Sequence, residues 1–383
     1  MAAGLQARIE RVDVYVVGLP VRRAFAVSGG EVTRVGHPAV RVLVKVTDTD
    51  GVWGWGEATP LPSWTYETTE SIVGTLRGHL VPAVVGHPVW DLDGLHQLFD
   101  RVIQRGFSIG APLAKAALDV AVHDLIGRRL GVPVGIWRGA RRLDDVELAW
   151  VVSSGSVEEA RASVEEGLAA GYRAFKVKIG LHSEEEDVEI VRAVRDRVNR
   201  AFLWVDANQA YRPQEALRVA RRLADLEVAV FEQPLRANDL LGLAWLRERS
   251  PIPIALDETL RHPQDLLTAV RLGSLDVAIA KVQRSAGLWL SWKLCALAED
   301  SGIEVMGSGL TDSDIGLAAS LHLFSAFGVR HPADLNGRQF IESPYAVETV
   351  RVEGGRAQVP TAPGLGVEVD EQVVRRLSLS AGL

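Results

Sequence analysis

Five residues recur along the middle of the 383-residue chain, Lys178, Asp206, Glu232, Asp257 and Lys281, at steps of about 25, the length of one strand, one helix and two short loops. Each closes a short apolar run: Phe175-Lys176-Val177-Lys178, Leu203-Trp204-Val205-Asp206, Val230-Phe231-Glu232, Ile254-Ala255-Leu256-Asp257 and Ile279-Ala280-Lys281. Three carboxylates gathered at one point raise one another's pKa unless a cation neutralises them. Oxygen-only ligands favour Mg2+, with Mn2+ able to stand in, over zinc. The flanking lysines supply two proton-transfer groups. Lys176 and Lys178 are two apart on one strand and share a face. A neighbouring cation lowers a lysine from its ordinary value of about 10.4. Lys178, nearer the strand end, is therefore the expected base, with Lys176 as its depressor and the partner of a substrate carboxylate. Lys281 approaches from the opposite side. A carboxylate held at the cation then loses its α-proton to one lysine, giving an enediolate whose charge the cation stabilises. Return of the proton from the other lysine inverts the centre, whereas expelling or closing onto a β-group gives elimination or a lactone. The plainer alternative is a structural network of ion pairs.

The spacing needs a scaffold. From Val146 onward, apolar strands alternate with amphipathic helices, predicted over 184–198, 239–248, 263–271 and 287–300, with another opened by Pro213. Strand–helix alternation implies parallel pairing with helices outside. Strands near 147–152, 174–179, 202–206, 228–232, 253–257, 277–281, 303–306 and 329–333 make eight. That number closes a TIM barrel of (β/α)8 type, with its active site at the C-terminal strand ends. Upstream, residues 8–60 alternate like antiparallel strands around an Asp50-Gly51 turn, and helices follow over 68–80, 91–104 and 112–130. The expected layout is an α+β unit over 1–130, the barrel over 131–345, and a segment 346–383 that packs back on the first unit.

Composition narrows the class. The chain is 47% hydrophobic and 24% charged, as in ordinary globular proteins. Its net charge of −7 is spread along the sequence and offers no nucleic-acid surface. The single cysteine, Cys295, excludes an intrachain disulfide and lies in an apolar helical run, where an inert buried thiol is expected. No run reaches the ~20 apolar residues of a membrane span, and charges at Arg8, Glu10, Arg11 and Asp13 interrupt any signal-like start. A cytoplasmic location is expected.

The ordered motifs Lys176-x-Lys178, Asp206-Ala-Asn208, Glu232-Gln233-Pro234, Asp257-Glu258 and Lys281 resemble the enolase superfamily. They are most similar to the muconate lactonizing branch of the mandelate racemase/muconate lactonizing enzyme group, and the likeness covers essentially the whole chain. The resemblance implies a modified (β/α)7β barrel under an N-terminal cap, with Asn208 and Glu258 beside the metal ligands. It also implies two mobile capping loops, here Phe25 to Glu31 with Gly29-Gly30 as hinge, and Pro60 to Glu67, which carries Trp64 and Tyr66 as candidate substrate contacts. Met306-Gly307-Ser308 stands where the mandelate racemase subgroup places a histidine. Asp312 stands where relatives often carry glutamate. Ala333-Asp334-Leu335-Asn336 is similar to the Asp-x-Asp with which dipeptide epimerases hold an ammonium, with asparagine replacing the second acid.

The primary expectation is a Mg2+-dependent racemase or epimerase of an amino-acid-derived carboxylate, with Lys178 and Lys281 as opposed bases. Its first rival is a muconate-type cycloisomerase, for which Arg22 or Arg23 would hold a second carboxylate. Elimination on the same scaffold, a Schiff base at Lys281 and a non-catalytic binding protein follow. A small carboxylate is the expected partner. The resemblance implies a homo-oligomer, with Trp289 and Trp292 in core or interface.

Overall fold

The computed structural model describes residues 6–106, 109–139 and 141–379. Strands Ile9–Leu19, Ala39–Asp48 and Trp53–Ala58 form an antiparallel sheet in that order. The turn between the last two is built by its own residues. Gly51 takes φ 81°, and the Asp48 carboxylate accepts the N–H groups of Asp50 and Val52 at 2.9 and 3.0 Å.

Helix Pro112–Leu130 lies across this sheet, with every residue from Pro112 to Gly127 buried. A helix buried on all sides has core against each face. Its close approach depends on Gly54 and Gly56, where a Cβ would collide with the main chain of Ala117, Ala121 or Leu125. The helix predicted over 68–80 runs further, as Thr69–Thr75, a wider π turn over Leu76–Leu80, and Val81–Val84. The first capping loop is a short hairpin, Phe25–Val27 against Gly30–Thr33, that turns at Gly30 with φ 134°. It touches the second loop through Ser63, whose Oγ donates to the Glu31 carbonyl at 2.9 Å.

The barrel holds seven parallel strands in chain order: β1 (Ala149–Val152), β2 (Ala174–Lys178), β3 (Phe202–Asp206), β4 (Val230–Glu232), β5 (Ile254–Leu256), β6 (Val277–Ala280) and β7 (Glu304–Gly307). Helices alternate with them on the outside. Their apolar faces pack onto the strands in one core that reaches from Val17 to Val374. The eighth strand is reduced. Ala333 bridges Leu148 beside β1, and Asp334 bridges Ser308 beside β7. Pro332 has no N–H to give a ladder, so the return is two residues long and still closes the ring. This is a modified TIM barrel of the (β/α)7β kind.

The C-terminal segment divides. Arg356–Gln358 pairs with Asp145–Glu147 ahead of β1, whereas helix Glu371–Leu377 rests on the first sheet, with Glu371 taking Lys45 at 2.6 Å and the Tyr15 hydroxyl at 2.9 Å. Among the described residues, no helix is long and apolar enough to cross a membrane.

Candidate active site

Because β2 to β6 are adjacent and in register, the residues at or just past their C-terminal ends converge. Lys178 lies opposite Asp206, and Asp206 opposite Glu232. All five residues singled out by spacing are buried at this end of the barrel, together with Lys176. Lys176 Nζ sits 3.0 Å from Asp206, 2.9 Å from Glu232 and 2.9 Å from Asp334. Lys178 Nζ donates to Asp206 at 2.6 Å and to Asn208 at 3.1 Å. Lys281 Nζ donates to Asp257 at 2.8 Å.

Three contributors were not read from the sequence. Trp204 forms the floor: its ring lies 4.3 Å below Lys176 Nζ, and its indole N–H reaches Glu232 at 2.5 Å. Its position two residues before Asp206 put it on the same face, which was the available signal. Arg284, one turn beyond Lys281, places a guanidinium nitrogen 2.5 Å from Asp257. Phe25, on the first capping hairpin, lies 5.9 Å from Lys178 Nζ.

The roof is Trp64. Its ring lies 4.1 Å from Lys281 Nζ and 5.3 Å from Lys178 Nζ, and its indole N–H donates to Glu258 at 3.2 Å. Glu258 also receives the Asn208 amide at 3.0 Å, so Lys178, Asn208, Glu258 and Trp64 form one connected chain. Tyr66, on the same loop, is 57% exposed. The first loop is tied down separately by Ser28, whose hydroxyl donates to the Asn208 carbonyl at 2.7 Å.

Asp312 lies beside this site in a buried network. It accepts the Gln283 amide at 2.7 Å and the Leu310 N–H at 3.2 Å. Burial and the nearby Glu57 carboxylate push it up to about 7. Asp334 Oδ2 accepts from Lys176 Nζ, while its Oδ1 and the Oδ1 of Asn336 are buried without donors. Arg22 and Arg23 point elsewhere. Arg22 pairs with Glu342, while Arg23 pairs with Glu166 on the outer helix Val157–Ala169 and lies over Trp150.

Burial alone would disfavour every charge here. For Asp206 it is outweighed by Lys176 and Lys178, which hold the carboxyl below its usual range. Asp257 is likewise buried and is held low by Arg284 and Lys281. Glu232 goes the other way, raised by burial and by Asp206. Lys176, despite its burial, is raised by Asp206, Asp334 and Glu232 and is the fixed positive centre. Lys281 is lowered, chiefly by burial, with Arg284 and Lys176 adding to the effect against Asp257. Lys176, expected as the depressor of Lys178, is thus one of two cations that depress Lys281.

Among the described residues, no three acidic, histidine or cysteine side chains stand at the spacing of a metal cage. The lysines and Arg284 instead hold the three carboxylates. The donor set nevertheless suits a hard cation: it is oxygen only, and Glu232 Oε1 is buried with no hydrogen-bond partner.

The family model described as "Mandelate racemase / muconate lactonizing enzyme, N-terminal domain" matches residues 12–136, and that described as "Enolase C-terminal domain-like" matches residues 157–373. The chain belongs to the mandelate racemase/muconate lactonizing enzyme group of the enolase superfamily. Relatives within this superfamily differ in reaction. The chain is 28% identical to an N-succinyl-L-Arg/Lys racemase of Bacillus cereus over 97% of its length and 98% of the relative's. It is 31% identical to muconate cycloisomerase 1-2 of Acinetobacter lwoffii over 97% and 95%. A dipeptide epimerase of Enterococcus faecalis, solved with Mg and the dipeptide L-Leu-L-Tyr, superposes with a TM-score of 0.87 at 27% identity, over 94% of this chain and 99% of that one.

Proposed function

We propose that the protein is an isomerase that removes and returns the α-proton of a small carboxylate substrate, and that it racemises or epimerises an amino-acid derivative. The observation that carries this reading is the pair of lysines, from β2 and just beyond β6, meeting under one indole ring. Lys281, lowered by burial, is suited to take a proton as the neutral amine. Lys178, bonded to Asp206 and Asn208, is held in one orientation from which to give or take a proton on the other side. Trp64 excludes water from between them. Mg2+, or Mn2+, held by Asp206, Glu232 and Asp257 would supply positive charge where negative charge develops on the substrate carboxylate. Lys176 would add a second, fixed charge next to it.

A nitrogen-bearing substrate is favoured by the donorless Asp334 Oδ1 and Asn336 Oδ1, which suit an N–H group. A muconate-like diacid is disfavoured by Arg22 and Arg23, both committed to carboxylates away from the strand ends. The same proposal includes the boundaries near residues 130 and 345, self-association and a cytoplasmic location.

Deuterium incorporation in D2O with Mg2+ tests the reaction. N-acyl amino acids, dipeptides and cis,cis-muconate would be followed by mass spectrometry and ultraviolet absorbance. Lys178→Ala and Lys281→Ala should each abolish racemisation while sparing exchange on opposite enantiomers. Full exchange and product formation by Lys281→Ala would end the two-base reading.

A further inference from the structure

The backbone ladder between β4 and β5 stops before the carboxylates do. Its paired residues are Phe231 with Ile254 and Glu232 with Ala255, and the last main-chain bond runs from Gln233 N–H to the Ala255 carbonyl at 2.8 Å. Pro234 then turns the chain away. The next N–H groups on the β5 side, those of Asp257 and Thr259, have lost their main-chain acceptors. Both are buried and need replacements.

Gln233 supplies them from its side chain. Its Oε1 accepts the Asp257 N–H at 2.9 Å and the Thr259 N–H at 3.2 Å. Its Nε2 donates to the Leu235 carbonyl and to Thr259 Oγ1, each at 3.0 Å. Thr259 Oγ1 in turn reaches the Ala237 carbonyl at 3.0 Å. Every hydrogen-bonding position of the amide is used, so only one orientation of it fits. The main chain joins in, with the Gln233 carbonyl accepting from Gln209 N–H at 2.8 Å. Three turns, after β3, β4 and β5, are thereby tied through one residue. Gln233 also holds φ 35°, a left-handed conformation unusual for a side-chain-bearing residue, which its surroundings must enforce.

We propose that Gln233 is a positioning residue: by extending the ladder past Pro234 it fixes Asp257 relative to Glu232, and so sets the affinity of the carboxylate site for its divalent cation. The inference rests on the metal role proposed above. Gln233→Leu keeps the bulk and withdraws every side-chain hydrogen bond. Thr259→Val removes only the hydroxyl, leaving the Asp257 N–H satisfied.

The test is Mn2+ affinity, by electron paramagnetic resonance and isothermal titration, with thermal unfolding alongside. Gln233→Leu should bind Mn2+ about 10- to 100-fold more weakly, as expected for removal of a group that orients a ligand. Thr259→Val should retain near wild-type affinity, even if its melting temperature falls as far. A folded Gln233→Leu protein with wild-type affinity would overturn the inference, because a purely structural role lowers stability without moving the metal constant. If Gln233→Leu does not fold, Gln233→Asn, which withdraws the carbonyl by one methylene, carries the same expectation and the same refutation. If the wild-type protein itself binds no Mn2+ at millimolar concentration, the metal role fails first and takes this inference with it.

Discussion

Trp64 shows how much chemistry one side chain joins. Its ring covers both lysines, and its N–H reaches Glu258. The two contributions separate by substitution. Trp64→Phe keeps an aromatic roof and loses the N–H, a bond worth about 1 kcal/mol, so KM should rise roughly fivefold with kcat little changed. Trp64→Ala should also lower kcat, as water enters. Equal kinetics for the two variants would show that the ring does nothing. At this scale the sequence was informative where residues end strands, since Lys178, Asp206, Glu232, Asp257 and Lys281 needed only spacing to be brought together. It was silent where a side chain's direction depends on a loop. Arg22 and Arg23 turn outward to Glu342 and Glu166, and Arg284 turns inward to Asp257, and no periodicity distinguishes these outcomes.

Among the elements, helix Pro112–Leu130 is the most constrained. Gly56→Ala would drive a methyl into the carbonyl of Ala117 and should destabilise the protein by about 3 kcal/mol or more, read from urea denaturation. The glycines were visible in Trp53-Gly54-Trp55-Gly56, but the helix they admit is far away in sequence. The π turn at Leu76–Leu80 was equally hidden, because its apolar spacing differs little from that of an ordinary helix.

Glu67 caps the start of the same helix, accepting the Leu113 N–H at 2.8 Å. Burial raises its carboxyl from 4.5 to about 7. A raised folded-state pKa gives stability that is complete below the unfolded value and lost as pH rises through the folded one. The loss therefore falls between about pH 4.5 and 7, and at about 1.4 kcal/mol per pH unit it amounts to about 3 kcal/mol. Glu67→Gln should melt higher than the wild type at pH 8 and lose that advantage at pH 4. A constant difference across the range would refute the assignment.

Across the whole molecule, cap, barrel and tail are joined by buried charges. Glu57 of the cap accepts the N–H groups of Ser313 and Gly316, at 2.9 and 3.0 Å, at the start of the barrel's last large helix. Arg41 pairs with Glu57 at 3.2 Å. Asp124 accepts the N–H of Trp55 in the cap at 2.9 Å and of Leu365 in the tail at 2.7 Å, and pairs with Arg128 at 3.2 Å. Asp124→Ala strands all three donors and should cost about 3–5 kcal/mol. Thermal unfolding should stay a single transition at lower temperature; separate cap and barrel transitions would mean that the parts are not one cooperative unit. The strand–helix repeat made the barrel legible, but the eighth strand expected near 329–333 is only a pair of bridges at Ala333 and Asp334, since Pro332 withholds a ladder N–H.

Helix Pro112–Leu130, buried as far as Gly127, has a consequence for descent. It is bonded on one face to the sheet and on another to helix Leu288–Asp300, where Asp119 accepts the Leu288 N–H. The cap therefore cannot swing away as a lid, and only the two loops it carries are free to vary. Those loops bring Trp64 and Phe25 to the lysines, whereas the lysines and carboxylates themselves stand at the ends of the barrel strands. Variation can thus fall on the loops while the barrel stays fixed, and the relatives include both a racemase and a cycloisomerase.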